Sequence, residues 1–236
     1  MGFQCQQFYL KDDQCAMKVS TDSLLFGAWV DVTGSVRIAD FGTGCGVLAL
    51  MLAQRAEASA SIDAIELDVA AAQQARDNVA ASPWPEKITV YQGDVLAFAT
   101  KQGDYDLVVM NPPYFPNHLP SSASKRSLAR QGEGDIWQRW LAHAASQIHN
   151  QGRIALVAPM QALETIFTEA QALGLHACRQ LQVQSVVGKS PYLVLLELRP
   201  TTVADCNENE TLVIRNPDNK YTNEYAKLTA DFYLKK

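Results

Sequence analysis

The amino-acid sequence predicts an α/β fold, in which helices cover both faces of a mostly parallel, seven-stranded sheet. Two observations favour this class. Short apolar runs alternate along the chain with longer segments whose apolar residues recur at helical spacing, a pattern typical of parallel sheets. Near the end of this alternation, two β-rich runs are separated only by Gly188-Lys189-Ser190-Pro191, which predicts an antiparallel hairpin.

The first half of the alternation contributes four strands and two helices. The predicted strands are residues 36–41, 61–67, 87–91 and 105–110. The predicted helices are residues 47–57 and 68–81. Asp68 opens the second helix, where an acidic residue suits the positive end of the helix dipole. Each strand ends in a loop that carries glycine, acidic or proline residues, so the strand ends are where we look for a site.

The second half and the two flanks complete the chain. The predicted elements of the second half are a helix at 135–149, a strand at 153–158, a helix at 161–173 and hairpin strands at 177–187 and 192–198. The N-terminal flank holds one helix that begins at Ser20 or Thr21. The C-terminal flank begins with a polar linker or loop at 205–210, followed by a strand at 212–215 and a helix at 223–233.

Composition excludes several classes of protein. The chain has 236 residues, of which 47% are hydrophobic and 19% charged, so it is neither disordered nor a disulfide-dense module. We expect no membrane span and no secretory signal, and therefore a cytoplasmic protein. The five cysteines form no CxxC pair, which predicts reduced thiols and no metal site. Because the net charge is −5, binding to nucleic acid would need a local basic patch.

A glycine-rich loop, Asp40-Phe41-Gly42-Thr43-Gly44-Cys45-Gly46, joins the first strand to the first helix of the alternation. Glycines let a backbone turn sharply and approach a ligand where a Cβ would collide. The spacing is GxGxG and Val47 follows, so neither the dinucleotide fingerprint nor a phosphate-binding loop is present. The alternative to a ligand-binding loop is a plain structural turn.

Acidic residues follow the next two strands. The carboxylate of Glu66 is placed to accept hydrogen bonds from both hydroxyls of a ribose, and that of Asp94 from an exocyclic amine such as that of adenine. With the glycine loop, they describe a nucleoside site without phosphates, which favours S-adenosylmethionine over a nicotinamide. Taken singly, Glu66 could be a solvated loop carboxylate and Asp94 a helix N-cap.

The tetrapeptide Asn111-Pro112-Pro113-Tyr114 follows the fourth strand. Its two prolines remove two N–H donors, so the turn presents the side-chain oxygen of Asn111 and the backbone oxygen of Pro112. Two such acceptors can take both hydrogens of a planar amine and favour a pyramidal, nucleophilic nitrogen. Tyr114 offers a face on which a base can stack. The alternative is that the prolines only punctuate a turn.

These motifs together resemble the class I, Rossmann-like methyltransferases that use S-adenosylmethionine to methylate amines, over about residues 36–199. Three further segments narrow the resemblance to the bacterial tRNA(Val) adenine-37-N6 methyltransferases. They are Met17–Trp29, Arg126–Arg130 and Tyr221–Leu234. The implied activity is methylation of N6 of an adenine in the anticodon loop, with S-adenosylhomocysteine as the second product and no metal.

The resemblance also implies roles for individual residues. The cofactor-binding set is Asp40, Gly42, Thr43, Gly44, Gly46, Glu66, Leu67, Asp94, Val95 and Asn111, with Lys18, Thr21 and Asp22 closing over the methionine end. The alternative for Lys18–Asp22 is a helix cap with a solvated lysine. The catalytic residues are Asn111, Pro112, Pro113 and Tyr114. We accordingly expect one compact domain, with an N-terminal extension (1–35) at the cofactor pocket, a methyltransferase core (36–200) and a C-terminal extension (201–236).

A basic patch follows the catalytic tetrapeptide. Its members are Lys125, Arg126 and Arg130, with Arg139 nearby, and we expect it to grip RNA phosphates. The alternative is a solvated loop. We nominate no catalytic histidine and expect no obligate protein partner. The expected surface or packing histidines are His118, His143, His149 and His176.

Other functions remain open at the level of sequence. The nearest is methylation of adenine N6 or guanine N2 in ribosomal RNA, because the tetrapeptide recognises any planar, delocalised amine. Enzymes that methylate DNA adenine or protein glutamine share this chemistry, but we expect them to need an additional domain. A non-catalytic RNA-binding protein on the same fold is the alternative from a different class. An oxidoreductase is disfavoured by the glycine spacing.

Overall fold

A central sheet of eight strands is the main feature of the computed structural model, which describes residues 2–99, 103–112, 133–200 and 208–234. The described residues form ten strands, of which β1 and β2 make a separate two-stranded sheet. They are β1 (Gly2–Gln4), β2 (Tyr9–Lys11), β3 (Arg37–Phe41), β4 (Ser61–Glu66), β5 (Ile88–Gln92), β6 (Tyr105–Met110), β7 (Ile148–Pro159), β8 (His176–Val186), β9 (Leu193–Arg199) and β10 (Glu208–Arg215). The helices are α1 (Thr21–Trp29), α2 (Val47–Arg55), α3 (Val69–Ala80), α4 (Glu133–Gln147), α5 (Leu163–Ala172) and α6 (Asn223–Leu228).

The order of strands in the sheet is β10-β8-β9-β7-β6-β3-β4-β5. Every neighbouring pair is parallel except the two pairs that β9 makes with β7 and β8. The predicted mostly parallel sheet with a C-terminal antiparallel hairpin is therefore confirmed. The described strands number eight in this sheet rather than the predicted seven, because β10 of the C-terminal flank pairs with β8 along the outer edge.

Several boundaries differ from those that the sequence predicts. Glu208–Glu210, expected in a polar linker, belongs to β10, because its backbone pairs in register with Arg179–Leu181 of β8. That pairing outweighs the poor strand propensity of acidic residues at an edge. The last predicted helix ends at Leu228, where Thr229 becomes the C-cap. The hairpin of β1 and β2 is a further element that the sequence did not predict.

Apolar side chains fill both faces of the sheet. Alternate residues of one strand serve different cores: Ile38 packs with the face that α1, α2 and α3 cover, and Ala39 packs with the face that α4 and α5 cover. Trp137 and Leu141 of α4 anchor the second face. Strands buried on both faces appear in the sequence as continuous apolar runs. This is why the alternation of strands with helices could be predicted from the sequence. Within the described ranges, no helix is both long and apolar enough to cross a membrane.

The two flanks of the chain lie against each other and against the helices. The backbone N–H of Gln6 donates to the carbonyl of Phe232 at 3.0 Å, and its side chain donates to the carbonyl of Tyr233 at 2.7 Å. Phe232 and Tyr225 are buried in the same apolar cluster as α1 and α2. The flanks therefore complete the core on the α1 face of the sheet.

Candidate functional site

The candidate site lies at the edge of the sheet where the parallel strands end. Phe41 of β3 is in register with Ile65 of β4 and with Met110 of β6. The glycine loop, the Glu66 loop and the Asn111 turn therefore leave the sheet side by side. In open α/β sheets, ligands bind in the crevice outside the carboxyl ends of the strands.

The glycine loop has a backbone that only glycine adopts easily. Gly42, Gly44 and Gly46 have φ values of 76°, 57° and 86°, in the left-handed region that favours glycine. A Cβ at Gly44 would meet no atom within 4 Å, so the loop faces open space there. A Cβ at Gly42 would lie 3.1 Å from the ring of Trp140 in α4, so this glycine also permits close packing.

Glu66 fastens the glycine loop to the end of β4. Its Oε2 accepts the N–H of Gly44 at 2.9 Å, and its Oε1 accepts the N–H of Asp68 at 2.8 Å. The N–H groups of Gly42 and Thr43 both donate to the carbonyl of Ile65 at 2.9 Å. A carboxylate has about four acceptor sites, so Glu66 retains capacity for the two hydroxyls of a ribose.

Asp40 is fully buried beneath this loop. Its Oδ2 accepts the hydroxyl of Thr43 at 2.5 Å and the N–H of Ala49 at 3.2 Å. Burial raises the pKa of Asp40 to about 7, against the opposing effect of those two hydrogen bonds. Its Oδ1 has no hydrogen-bond partner in the described part of the chain. A buried acceptor in this position fits a donor or a cation supplied by a ligand.

Asn111 and Pro112 follow β6 directly. The Oδ1 of Asn111 is buried and has no hydrogen-bond partner among residues that the structure describes. Pro112 is also buried and, being a proline, offers no N–H. A buried amide oxygen left without a hydrogen bond costs about 1–3 kcal/mol. We therefore expect a ligand to donate a hydrogen bond to the Oδ1 of Asn111.

Five of the predicted site residues lie outside the described ranges. They are Pro113, Tyr114, Lys125, Arg126 and Arg130. His118 lies there as well. Arg139, expected near the basic patch, is exposed on α4. The stacking role of Tyr114 and the phosphate-binding role of the patch remain predictions.

Asp94 lies beside Glu66 at the end of β5. The N–H of Gly93 donates to the carbonyl of Glu66 at 2.8 Å, which joins the two loops. The Oδ1 of Asp94 accepts the N–H of Leu96 at 2.9 Å and caps a short 3₁₀ turn (Val95–Ala97). The N-cap that the sequence offered as an alternative is therefore present. Val95 is buried and Leu67 is exposed.

The three N-terminal residues predicted to close over the cofactor lie around the start of α1. Ser20 caps the helix and exchanges hydrogen bonds with Ser23. Lys18 is exposed, and its Nζ donates to the carbonyl of Asp12 at 2.6 Å. Thr21 is the first residue of α1, and the Oδ1 of Asp22 accepts the hydroxyl of Tyr192 at 2.7 Å. Asp22 thus connects this segment to the turn before β9.

Two buried amides of α3 hold the N-terminal segment against the glycine loop, and sequence reasoning missed both. Asn78 accepts the N–H of Lys11 and donates to its carbonyl, each at 2.8 Å, and also donates to the carbonyl of Cys45 at 2.8 Å. Gln74 accepts the N–H of Gln14 at 3.0 Å. The signal available in the sequence was a pair of amides spaced four residues apart on an alanine-rich helix, which places them on one face.

His143 lies against the site, on α4. Its ring lies 5.5 Å from that of Phe41 between centroids, at an interplanar angle of 34°. Burial lowers the pKa of His143 below its usual value and so favours the neutral ring. His149, by contrast, lies 2.8 Å from the carboxylate of Asp106 near the opposite edge of the sheet. The structure therefore brings one of the described histidines to the site and leaves His149 away from it.

Comparison with known proteins gives concordant results. Residues 15–174 match the family described as the Methyltransferase small domain. The chain is 42% identical over 234 residues to the tRNA1(Val) (adenine(37)-N6)-methyltransferase of Citrobacter koseri, covering 99% of this chain and 95% of that protein. It is 42% identical over 235 residues to the protein of the same name from Tolumonas auensis, covering 99% and 97%.

Two solved structures show the same fold at low sequence identity. A predicted O-methyltransferase from Agrobacterium tumefaciens aligns with a TM-score of 0.66 and 20% identity, covering 89% of this chain and 96% of that one. A SAM-dependent O-methyltransferase from Thermotoga maritima aligns with a TM-score of 0.57 and 17% identity, covering 78% and 67%. These alignments extend the likeness to the Rossmann-like arrangement of strands and helices.

Proposed function

The chain belongs to the tRNA1(Val) (adenine(37)-N6)-methyltransferase family, and from that membership we propose that it methylates N6 of adenine 37 in this tRNA with S-adenosylmethionine as the donor. The observation that carries the chemistry is the buried Oδ1 of Asn111, which has no partner among the described residues at the end of β6. A tRNA substrate makes the cytoplasm the compartment in which the protein acts.

The described residues fit S-adenosylmethionine as a ligand. Glu66 would accept the ribose hydroxyls and Asp94 the adenine amine, since both carboxylates lie at adjoining strand ends. The methionine end would lie over Gly44, where the loop faces open space, with its ammonium toward the buried carboxylate of Asp40. Lys18, Thr21 and Asp22 would close this end, so the N-terminal flank contributes to the pocket. The bound donor supplies a methyl group on a positively charged sulfur.

Asn111 and Pro112 would orient the target adenine. The base leaves its stack in the anticodon loop, where unstacking costs less than in a duplex. The two oxygens accept the hydrogens of N6, hold the amine in line with the methyl group and meet the positive charge that develops on nitrogen. The new N–C bond would form as the bond between the methyl group and the sulfur breaks, and the N6 proton, which becomes acidic only then, would leave to solvent. The chain therefore needs no base before attack. Tyr114 would stack on the ring.

The test is methyl transfer to unmodified tRNA1(Val) from labelled S-adenosylmethionine, with the product digested to nucleosides. We expect N6-methyladenosine, and we expect none from a tRNA with guanosine at position 37. Asn111→Ala should reduce kcat by about 100-fold or more, as the loss of one preorganised transition-state contact does. The matched control is Asn150→Ala, which truncates an exposed asparagine in the N-terminal part of β7, away from the site.

Two results would contradict this function. Label in ribosomal RNA but not in tRNA would change the substrate and leave the mechanism in place. Wild-type activity in the Asn111→Ala protein would remove the proposed catalytic role, even with tRNA as substrate. Binding of S-adenosylmethionine by the variant, measured by calorimetry, separates loss of catalysis from loss of the pocket.

A further inference from the structure

Two turns extend the edge of the sheet that carries the active site. Since β7, β8 and β10 run parallel to β6, the residues after Val186 and Arg215 emerge on the same edge as Asn111. The two turns touch, because the N–H of Val187 donates to the carbonyl of Arg215 at 3.3 Å. Strands lie about 4.8 Å apart, so β10, four positions from β6, is about 19 Å from the Asn111 turn.

These turns present positive charge in an acidic protein. The cationic turn surface consists of residues 187–190 and 215–227. They include four basic residues (Lys189, Arg215, Lys220 and Lys227) and two acidic ones (Asp218 and Glu224), so their net charge is +2 in a chain of net charge −5. Lys189 is exposed, and the side chain of Lys220 is 82% exposed although it pairs with Asp218 at 3.0 Å.

An aromatic ring and a guanidinium pack against each other within this surface. The guanidinium of Arg215 lies 4.4 Å from the ring centroid of Tyr221, and its Nη1 donates to the carbonyl of Asn219 at 2.8 Å. Tyr221 also packs at 4.7 Å from the ring of Tyr225, which is buried. Tyr221 nevertheless keeps 38% of its surface exposed. Basic side chains beside an exposed aromatic ring are the usual composition of a surface that binds RNA.

We propose that the cationic turn surface binds backbone phosphates of the tRNA arm whose loop delivers adenine 37 to Asn111. This proposal rests on the function proposed above and adds a second RNA contact, apart from the predicted patch at Lys125, Arg126 and Arg130. Its position explains how a protein of negative net charge holds a polyanion: the cations lie in line with the active site along one edge. The ion pair of Lys220 with Asp218 is exposed and is weak enough to be exchanged for a phosphate.

The test compares two double variants of equal net charge. Lys189→Gln with Lys220→Gln removes two positive charges from the surface. Asn150→Asp with Gln151→Glu adds two negative charges at exposed positions in the N-terminal part of β7, toward the other edge of the sheet. Affinity for tRNA1(Val) is measured as a function of salt concentration, together with affinity for S-adenosylmethionine.

We expect the lysine variant to bind tRNA about 10-fold more weakly, with a salt slope reduced by about 2 because two phosphate contacts are lost. Its affinity for S-adenosylmethionine should be that of the wild type, and the control variant should bind tRNA normally. A lysine variant with wild-type tRNA affinity and salt slope overturns the proposal, and so does an equal loss in both variants. A wild-type protein that methylates no tRNA instead overturns the proposed function.

Discussion

Asp40 shows how a single buried carboxyl can make stability depend on pH. Burial raises its pKa in the folded chain to about 7, whereas an aspartate in an unfolded chain has a pKa near 3.9. The folded state therefore holds a proton that the unfolded state has already released. The stability that this proton contributes is fully present below about pH 4 and is lost as the pH rises through about 7.

Asp40→Asn should remove this pH dependence, because an amide does not titrate in this range. Its oxygen can still accept from Thr43 and Ala49. In urea unfolding without a methyl donor, the wild-type free energy of unfolding should fall by about 2 to 3 kcal/mol more than that of the variant between pH 5 and pH 8. Parallel profiles for the two proteins would show that Asp40 ionises normally in the fold.

Residues with a motif were predictable from the sequence, and residues that bind backbone across the fold were not. Glu66 and Asn111 stand at fixed positions after apolar strands, and the structure places both at the crevice. Gln74 and Asn78 bind the backbone of residues about 60 positions away, and no local pattern specifies those partners. Polar residues on one face of a helix usually indicate a face exposed to solvent. The sequence therefore did not predict a structural role for these two amides.

At the level of elements, α3 is the support to which the N-terminal segment and the glycine loop are both attached. Asn78 makes three hydrogen bonds, of which two go to Lys11 and one to Cys45. We expect Asn78→Ala to raise the KM for S-adenosylmethionine about 10-fold while kcat changes less than threefold. The segment that carries Lys18 and Thr21 would be held less firmly, but Asn111 would keep its place at β6. Steady-state kinetics with varied donor concentration measures both constants.

The matched control for this prediction is Gln73→Ala, one position from Gln74 on the exposed face of the same helix. Among the described residues, the side chain of Gln73 forms hydrogen bonds only with Asp77 and Arg76 of the same helix. Its loss should therefore leave the KM for S-adenosylmethionine unchanged. A KM increase in both variants would indicate general weakening of α3. An Asn78→Ala protein with unchanged KM would mean that the hydrogen bonds of Asn78 do not position the cofactor pocket.

Strand β10 shows where prediction of elements from sequence fails. The polar residues Glu208–Glu210 have low strand propensity, yet they pair with β8 because that edge offers unpaired backbone groups. Buried strands such as β6 were predicted with accurate bounds, since every residue of β6 except Asp106 is buried. Edge pairing depends on a partner that is distant in sequence, and composition alone does not reveal it.

Across the whole molecule, the edge of the sheet at which the parallel strands end (the carboxyl edge) and the edge at which they begin have different roles. The carboxyl edge carries the glycine loop, Glu66, Asn111 and the cationic turn surface. At the other edge, polar contacts tie loops to strands: Asp106 accepts the N–H groups of Val36 and Arg37, each at 2.7 Å. Substitutions at that edge should therefore affect stability, while those at the carboxyl edge should affect binding and turnover.

Arg153 of β7 offers the sharpest test of this division. It is buried, and its Nη2 donates to the carbonyls of Asp31 and Thr33 at 2.8 and 3.1 Å and to the hydroxyl of Ser35 at 3.0 Å. Arg153→Met keeps much of the volume but leaves these oxygens without their donor, which should cost about 2 to 4 kcal/mol. Thermal unfolding should show a lower Tm, whereas kcat and KM measured below that temperature should match the wild type. A variant of normal Tm but altered kcat would mean that this edge communicates with the site.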